Sequence, residues 1–359
     1  MSAPGFVLLE DGARFDGDLV GAPVSDRGVT GEVVFTTGMS GYQECVTDPS
    51  FARQLITFTV PHVGNYGASP AAMESERVHA AGAIMRDAAN DADAPGAGEG
   101  WLDWLREHGI AAITGVDTRA LVRHIRELGA MRGGIFSAAA SEGEARERIA
   151  AEPPMLGRDL AREVTVAQAT VHGDGSGPRI AALDTGIKVS IIRSFTGRGA
   201  TLELHPCTAS ADDLLASDPD GLFLVPGPGD PAALDYVVAT VREVLARERP
   251  VFGICLGHQL LCRAVGLETY KLPFGHRGAN HPVVDRRTGR VLVTSQNHGF
   301  AVRPSRNVAA THVSLYDGTV EGLDFPDLKA RSVQFHPEAG PGPHDAWPIL
   351  ARWVQELKQ

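Results

Sequence analysis

Clustered cysteines, clustered basic residues and long apolar runs are all missing from this sequence of 359 residues, and each absence excludes a class of protein. Four cysteines are too few for a disulfide framework, and no C-x-x-C pair suggests zinc. A formal net charge of -11 at pH 7, without a cluster of lysine and arginine, argues against binding to nucleic acid. No apolar run approaches the roughly 20 residues that span a bilayer, and residues 1–15 lack a signal-peptide pattern. We therefore expect a cytoplasmic protein with reduced thiols that binds neither nucleic acid nor membrane.

The chain is long enough for two domains. With 43% apolar residues and 41 glycines, it can bury two sizeable cores. Residues 141–178 combine a charged helical stretch with paired prolines and then alternating glycines, the composition of an interdomain connection with a boundary near Gly177. We predict a first domain over residues 1–150, a linker over 151–178 and a second domain over 179–359.

The first half begins with strand patterns, at Phe6 to Phe15, Gly31 to Thr37 and Gln54 to Val60. Later, Asp117 or Thr118 can cap a helix that ends at Gly129. The apolar residues of that helix share one face: Leu121, Val122, Ile125 and Leu128. The acidic and glycine-rich residues 90–100 are interpreted as a flexible surface loop.

The second half alternates strands with a helix, which predicts an α/β fold with a parallel sheet. The predicted strands are Ile180 to Leu183, Gly221 to Val225 and Val251 to Ile254, and the predicted helix is Leu234 to Leu245.

A nucleophile elbow is predicted at residues 250–261, PVFGICLGHQLL. Cys255 stands two positions from Gly253 and from Gly257, between an apolar strand and a helical pattern. A sharp strand-to-helix turn needs such small neighbours, and a helix N-terminus favours the reactive thiolate. The amide of Leu256 is then a natural oxyanion donor. A buried core cysteine is the alternative, and it is the interpretation kept for Cys45, Cys207 and Cys262.

A base for the thiol is predicted in residues 332–338, SVQFHPE, where an apolar strand ends at His336. In extended backbone, residues two apart point the same way, so Glu338 can hold one imidazole nitrogen. By itself this triplet is more often a loop after a strand. Together with the elbow it indicates a Cys-His-Glu triad.

Two further segments follow strands. Residues 226–231, PGPGDP, place glycines where backbone amides can approach a ligand, although a tight turn is the plain alternative. Residues 296–302, QNHGFAV, gather an amide, an imidazole and an aromatic ring, or form a turn with one core phenylalanine. The spacings of His298 with His258, His276 or His281 match no zinc pattern, so we predict no metal site.

These four motifs in this order resemble the class I glutamine amidotransferases. Residues 31–67, GEVVFTTGMSGYQECVTDPSFARQLITFTVPHVGNYG, are similar to the N-terminal domain of the carbamoyl-phosphate synthase small subunits, and so is the tail AGPGPHDA at residues 339–346. The resemblance implies an α/β protein, with a C-terminal class I amidotransferase domain whose mostly parallel sheet is flanked by helices. A smaller, β-rich α/β domain precedes it.

The resemblance also implies roles for individual residues. Cys255 becomes the nucleophile, His336 the general base and acid, and Glu338 the residue that orients the histidine. The implied glutamine-binding residues are Ser50, Gly227, Gly229, Leu256, Gln259, Asn297, Gly299 and Phe300. Two features depart from the family pattern: Pro226, where asparagine is common, and the loop at residues 90–100.

The implied reaction releases glutamate and ammonia from L-glutamine through a γ-glutamyl thioester. No phosphate-binding G-x-x-x-x-G-K-[ST] loop is present, so ATP and its metal are expected only in a partner large subunit. That subunit would receive the ammonia, forming a heterodimer or a higher oligomer that supplies carbamoyl phosphate to arginine and pyrimidine synthesis. This chain itself is expected to need no cofactor.

Three alternatives share parts of this pattern. A subunit of another biosynthetic amidotransferase would have the same chemistry but not residues 31–67. A silent regulatory scaffold would have lost a triad member, and a free γ-glutamyl hydrolase would be fully active alone. The activity of the isolated chain separates them.

Overall fold

The computed structural model describes residues 3–25 and 27–358, which divide into two compact units. The first unit runs up to Met155 and includes Pro273–Arg277, and the second consists of Leu156–Leu272 and the residues from Gly278 onward. Within the described residues, no helix has the length and apolarity needed to cross a membrane.

The first unit is built around a closed barrel. Its elements are β1 (Ala3–Leu9), β2 (Arg14–Gly21), β3 (Val29–Thr36), α1 (Tyr42–Thr47), β4 (Gln54–Phe58), β5 (His62–Val63), β6 (Gly82–Ile84), β7 (Asp87–Ala88), α2 (Trp101–Glu107), β8 (Ala111–Thr114), α3 (Thr118–Leu128), β9 (Met131–Ser137) and α4 (Glu142–Ala151). The barrel order is β1-β2-β8-β6-β4-β3-β9, and β9 pairs with β1 to close it. Closure leaves these seven strands without a free edge.

The strands predicted near Gly31 to Thr37 and Gln54 to Val60 are confirmed as β3 and β4, whereas the flexible loop at residues 90–100 stays a prediction. The single strand predicted over Phe6 to Phe15 is wrong, because Gly12 takes a φ of 93° and turns the chain into the β1–β2 hairpin. The helix predicted after Asp117 is α3. The Asp117 side chain accepts a hydrogen bond from the amide of Ala120 at 3.0 Å, and Gly129 ends the helix with a φ of 101°.

The second unit contains a sheet of ten strands. Its elements are α5 (Ala161–Val164), β10 (Thr170–His172), β11 (Arg179–Asp184), α6 (Val189–Thr196), β12 (Thr201–Pro206), α7 (Ala211–Leu215), β13 (Gly221–Leu224), α8 (Asp235–Ala246), β14 (Val251–Ile254), α9 (Leu256–Ala264), β15 (Thr269–Asp285), β16 (Val291–Val302), β17 (Ala310–Ser314), β18 (Val320–Phe325), β19 (Ala330–Val333) and α10 (Trp347–Glu356). The order is β10-β12-β11-β13-β14-β19-β18-β17-β15-β16.

The parallel sheet expected from the sequence is the centre of this larger sheet. Strands β12, β11, β13, β14 and β19 are parallel neighbours, whereas β10, β17 and β18 add antiparallel pairs that the sequence did not predict. Alternate residues of β11 enter two different cores: Ala181 and Leu183 pack with α7, α8 and α9, and Ile180 and Ala182 pack with α6 and α10. Helices therefore cover both faces, as in other parallel sheets.

The segment predicted as a linker, residues 151–178, is folded over much of its length. The units divide at Met155, and the residues after it belong to the second unit. Leu160 and Ala161 are fully buried, and β10 pairs with β12. Burial of these apolar side chains explains why the segment is structured despite its glycines and prolines.

Candidate active site

The predicted turn from strand to nucleophile to helix is present at Cys255. This residue lies between the end of β14 and the start of α9, with φ 54° and ψ −110°, a conformation that side-chain-bearing residues rarely adopt. A Cβ on Gly253 would lie only 2.6 Å from the carbonyl oxygen of Gly257, and one on Gly257 would overlap the carbonyl of Leu224 on β13. Both glycines are therefore required for the close approach of helix and strands.

The thiol of Cys255 is buried, with 2% of the residue exposed. Its Sγ lies 3.5 Å from the carbonyl oxygen of Asn297 on β16, and its backbone amide donates to Val333 at the end of β19, at 3.0 Å. The elbow is thus fixed beside the two strands that carry the remaining predicted groups.

The structure brings His336 and Glu338 together with Cys255. The amide of His336 donates to the carbonyl of Ser295 at 2.9 Å, which anchors the segment after β19 to β16. The His336 ring donates from Nδ1 to Oε1 of Glu338 at 2.7 Å. Its Nε2 is buried and has no hydrogen-bond partner among the described residues. With Nδ1 occupied, Nε2 is the nitrogen left for the thiol and its substrate.

A fourth buried group, Lys188, was not predicted from the sequence. Its Nζ lies 2.7 Å from Oε1 of Glu338 and donates to the carbonyl of Gly340 at 3.0 Å, and the residue is only 2% exposed. Lys188 ends the turn after β11, in which Oδ1 of Asp184 accepts from the amides of Gly186 and Ile187. The signal in the sequence was a lysine in an apolar strand-to-helix turn, since a buried lysine needs an acidic partner.

These contacts oppose the effect of burial on both titratable partners. Burial by itself would raise the pKa of Glu338, but Lys188 and His336 outweigh it and hold that pKa well below its usual range. Burial would also lower the pKa of His336, but the carboxylate of Glu338 outweighs it and raises that pKa, with a smaller contribution from Cys255. The imidazole is therefore a strong base that can hold a proton for transfer to a leaving amine.

The predicted binding residues of α9 and β16 also lie beside the elbow. The amide of Gln259 donates to the carbonyl of Cys255 at 3.1 Å, one helical turn after the nucleophile. Its side-chain Nε2 donates to the carbonyl of Phe300 at 2.8 Å and to Oε1 of Gln334 at 3.0 Å. Leu256 opens α9, and Gly299 lies between the two β16 residues that make these contacts, Asn297 and Phe300. Their contact with glutamine stays a prediction.

The glycines of the 226–231 loop are packed against protein. A Cβ on Gly227 would overlap the carbonyl of Thr185, and one on Gly229, which has a φ of 93°, would lie 2.6 Å from the carbonyl oxygen of Arg158. The hydroxyl of Thr185 donates to the carbonyl of Pro226 at 3.0 Å. These contacts support the tight-turn interpretation. The contact of the loop amides with glutamine stays a prediction.

Ser50 lies in the first unit, on the 3₁₀ turn Pro49–Phe51. Its amide donates to Oδ1 of Asp48 at 2.8 Å, and its buried hydroxyl has no hydrogen-bond partner among the described residues. A free hydroxyl on a fixed turn suits ligand binding, and the predicted contact with glutamine stays a prediction.

Comparison with known proteins gives matches to both halves of the chain. Residues 7–135 match the family described as "Carbamoyl-phosphate synthase small chain, CPSase domain", and residues 181–354 match "Glutamine amidotransferase class-I". Carbamoyl phosphate synthase small chains of three bacteria align over nearly the full length of both sequences. The Pseudomonas aeruginosa protein is 45% identical, with 100% of each chain covered. The Streptomyces avermitilis protein is 47% identical, covering 99% of this chain and 96% of the relative. The Escherichia coli K12 protein is 43% identical, covering 98% and 97%.

Such identity over the whole length shows the family. It confirms the resemblance seen in the sequence motifs, and it excludes subunits of other amidotransferases because the first half also matches. The chain belongs to the carbamoyl-phosphate synthase small chains, enzyme subunits whose second half is a class I glutamine amidotransferase domain.

Proposed function

We propose that the chain hydrolyses the side-chain amide of L-glutamine at Cys255 and passes the ammonia to a large synthetase subunit. The observation that carries the proposal is the buried set of Cys255 on its strand-to-helix elbow with His336, Glu338 and Lys188. A thiol, a basic imidazole and an orienting carboxylate are the groups that acyl transfer through a covalent intermediate requires.

In the proposed reaction, His336 takes the proton of the Cys255 thiol, and the sulfur attacks the amide carbon of glutamine. The oxyanion that forms accepts a hydrogen bond from the amide of Leu256 at the start of α9. His336 then gives its proton to the departing nitrogen, so that ammonia leaves and a γ-glutamyl thioester remains. Water, deprotonated by the same imidazole, cleaves the thioester to glutamate and returns the thiol.

Glu338 and Lys188 do not contact the reacting carbon in this scheme. Glu338 keeps Nδ1 of His336 protonated and stabilises the imidazolium that each proton transfer creates. Lys188 holds the carboxylate in place. The remaining predicted contacts with the amino acid are those of Ser50, Gly227, Gly229, Gln259, Asn297, Gly299 and Phe300.

The partner in this proposal is the large chain of carbamoyl-phosphate synthase, which would bind ATP with its metal and phosphorylate bicarbonate and carbamate. The product would be carbamoyl phosphate for arginine and pyrimidine synthesis in the cytoplasm. The proposal is supported by the names of the relatives, since each is a small chain and so implies a larger one.

The test is glutamate release from L-glutamine by the purified chain, with and without the large chain. We expect weak release alone, strong release in the complex, and none from Cys255→Ser. The control is Cys207→Ser, which replaces a buried thiol that lies 3.5 Å from the hydroxyl of Tyr236 and should leave the rate unchanged. Full release by the isolated chain would support a free hydrolase instead, and no release under either condition would refute the proposed function.

A further inference from the structure

A closed ring of four hydrogen bonds and one longer His–Glu contact includes residues of the β16 segment 296–300. Gln259 donates from Nε2 to the Phe300 carbonyl at 2.8 Å and to the Gln334 side chain at 3.0 Å. The amide of Gln334 donates to the carbonyl of Glu321 at 2.8 Å. The ring closes through His298, whose Nε2 lies 3.9 Å from Oε1 of Glu321 and whose Nδ1 donates to the Phe300 carbonyl at 2.7 Å.

Glu321 is the one carboxylate of this ring, and it lies on β18. Its Oε2 accepts from Nε2 of Gln296 at 2.8 Å. The five side chains concerned, those of Gln259, Gln296, His298, Glu321 and Gln334, belong to residues that are between 0% and 4% exposed. A buried carboxylate persists only where donors and positive charge compensate its lost hydration. The side chains of Gln296 and His298 are therefore held to Glu321.

The ring determines the position of backbone that faces the thiol. The Phe300 carbonyl accepts from both Gln259 and His298, and the Asn297 carbonyl lies 3.5 Å from the Cys255 sulfur. Buried side chains that hydrogen-bond to backbone carbonyls restrict the movement of that backbone. Segment 296–300 therefore takes its shape partly from a group on a neighbouring strand.

We propose that Glu321 is a positioning residue for substrate binding, because its carboxylate holds segment 296–300 beside Cys255 through Gln296 and His298. The inference rests on the proposed glutamine hydrolysis. It assigns Glu321 to binding of the amino acid and not to the chemical step. The elbow is held by Gly253 and Gly257, so the thiol keeps its place when the segment loosens.

The test compares three variants in the complex with the large chain. The side-chain Nε2 of Gln296 donates one hydrogen bond to the hydroxyl of Thr294, at 3.3 Å, and a second to Glu321. Glu321→Leu removes the acceptor of the second hydrogen bond. We expect KM for glutamine to rise about tenfold, the effect of leaving one buried donor unpaired, with kcat changed less than about threefold. Glu321→Gln keeps an acceptor oxygen and should restore KM to within about twofold of wild type. Glu203→Leu is the matched control, since it removes a largely buried carboxylate of the same sheet that pairs with Arg179; its KM should not change.

An unchanged KM in Glu321→Leu would overturn the inference. A rise in KM of the same size in Glu203→Leu would also overturn it, and so would a rise of the same size in Glu321→Gln. If Glu321→Leu does not fold, Gln296→Met tests the same contact from the other side and should give the same rise in KM. The rate at which iodoacetamide alkylates Cys255 should stay at the wild-type value in every folded variant. A wild-type complex that releases no glutamate would refute the proposed function, whereas an active wild type with unaltered variants refutes only the role of Glu321.

Discussion

Lys188→Met should destabilise the protein strongly, because it leaves the buried Glu338 carboxylate without its cation. The two charged atoms lie 2.7 Å apart, with the lysine and the glutamate side chains 2% and 0% exposed. At an effective dielectric constant of about 20, their attraction amounts to about 6 kcal/mol. The substitution also removes the free-energy cost of burying the lysine charge. We therefore expect a net loss of about 3–5 kcal/mol in the free energy of unfolding. Methionine matches the length of the lysine side chain, so cavity formation adds little.

The same substitution should slow glutamate release. Lys188 lowers the pKa of His336, so its loss makes the imidazole more basic. A more basic imidazole gives up its proton to the leaving amine less readily near neutral pH. We expect kcat to fall by about tenfold or more, because Glu338 also loses the contact that fixes it. The KM for glutamine should change less, since Lys188 is not among the predicted binding residues.

The assay is urea unfolding at pH 7.5, combined with glutamate release, for four proteins: wild type, Lys188→Met, Glu338→Gln and the double variant. Because the two groups are in contact, the double variant should lose less stability than the sum of the single losses. Lys329→Met is the control, since its ion pair with Glu248 is exposed, at 58% and 83% of the two side chains, and such pairs contribute about 0–1 kcal/mol. Additive losses, or a loss in Lys188→Met no larger than in Lys329→Met, would refute the reasoning.

Two other predictions follow from the same site. Gly257→Ala should lower the free energy of unfolding by about 3 kcal/mol and abolish glutamate release, because the new Cβ meets the Leu224 carbonyl. The control is Gly266→Ala, at a glycine with a φ of 91° and open space around it, which should lower the free energy of unfolding by about 1 kcal/mol. Equal losses in urea unfolding would contradict the steric argument. The pKa of Glu338 is lower in the folded than in the unfolded state, so its contribution to stability is present above pH 4.5 and is lost as the pH falls below that value. The urea midpoint of wild type should therefore drop more steeply than that of Glu338→Gln between pH 6 and pH 3, and parallel curves would exclude this linkage.

The parts of the fold that sequence predicts are those set by neighbouring residues. The α3 helix follows from the Asp117 cap, the apolar face and Gly129, all within one short segment. The elbow follows from two glycines on either side of Cys255, because the steric demand is local. The turn at Gly12 was missed although its signal is also local, since glycine after aspartate favours a reversal between strands.

The parts that sequence did not predict depend on pairing between distant segments. Closure of the first-unit barrel requires β9 to meet β1 across more than a hundred residues, and no pattern in either strand specifies that partner. The antiparallel pairing of β10 with β12 has the same ambiguity, because β11 and α6 lie between them in the chain. Lys188 was missed for this reason too, because its acidic partner is Glu338 and a lysine alone gives no indication of where it points.

The topology of the second unit explains why these distant groups meet. The 226–231 loop, Cys255 and His336 each follow the carboxyl end of a parallel strand, β13, β14 and β19, and these strands are adjacent in the sheet. Functional groups collect at this edge because all the loops that follow parallel strands open there. Lys188 follows β11, three strands from β19, a distance of about 14 Å at the usual spacing. A four-residue turn and a long side chain together cover that distance, so a lysine can reach Glu338 from β11 where a shorter side chain could not.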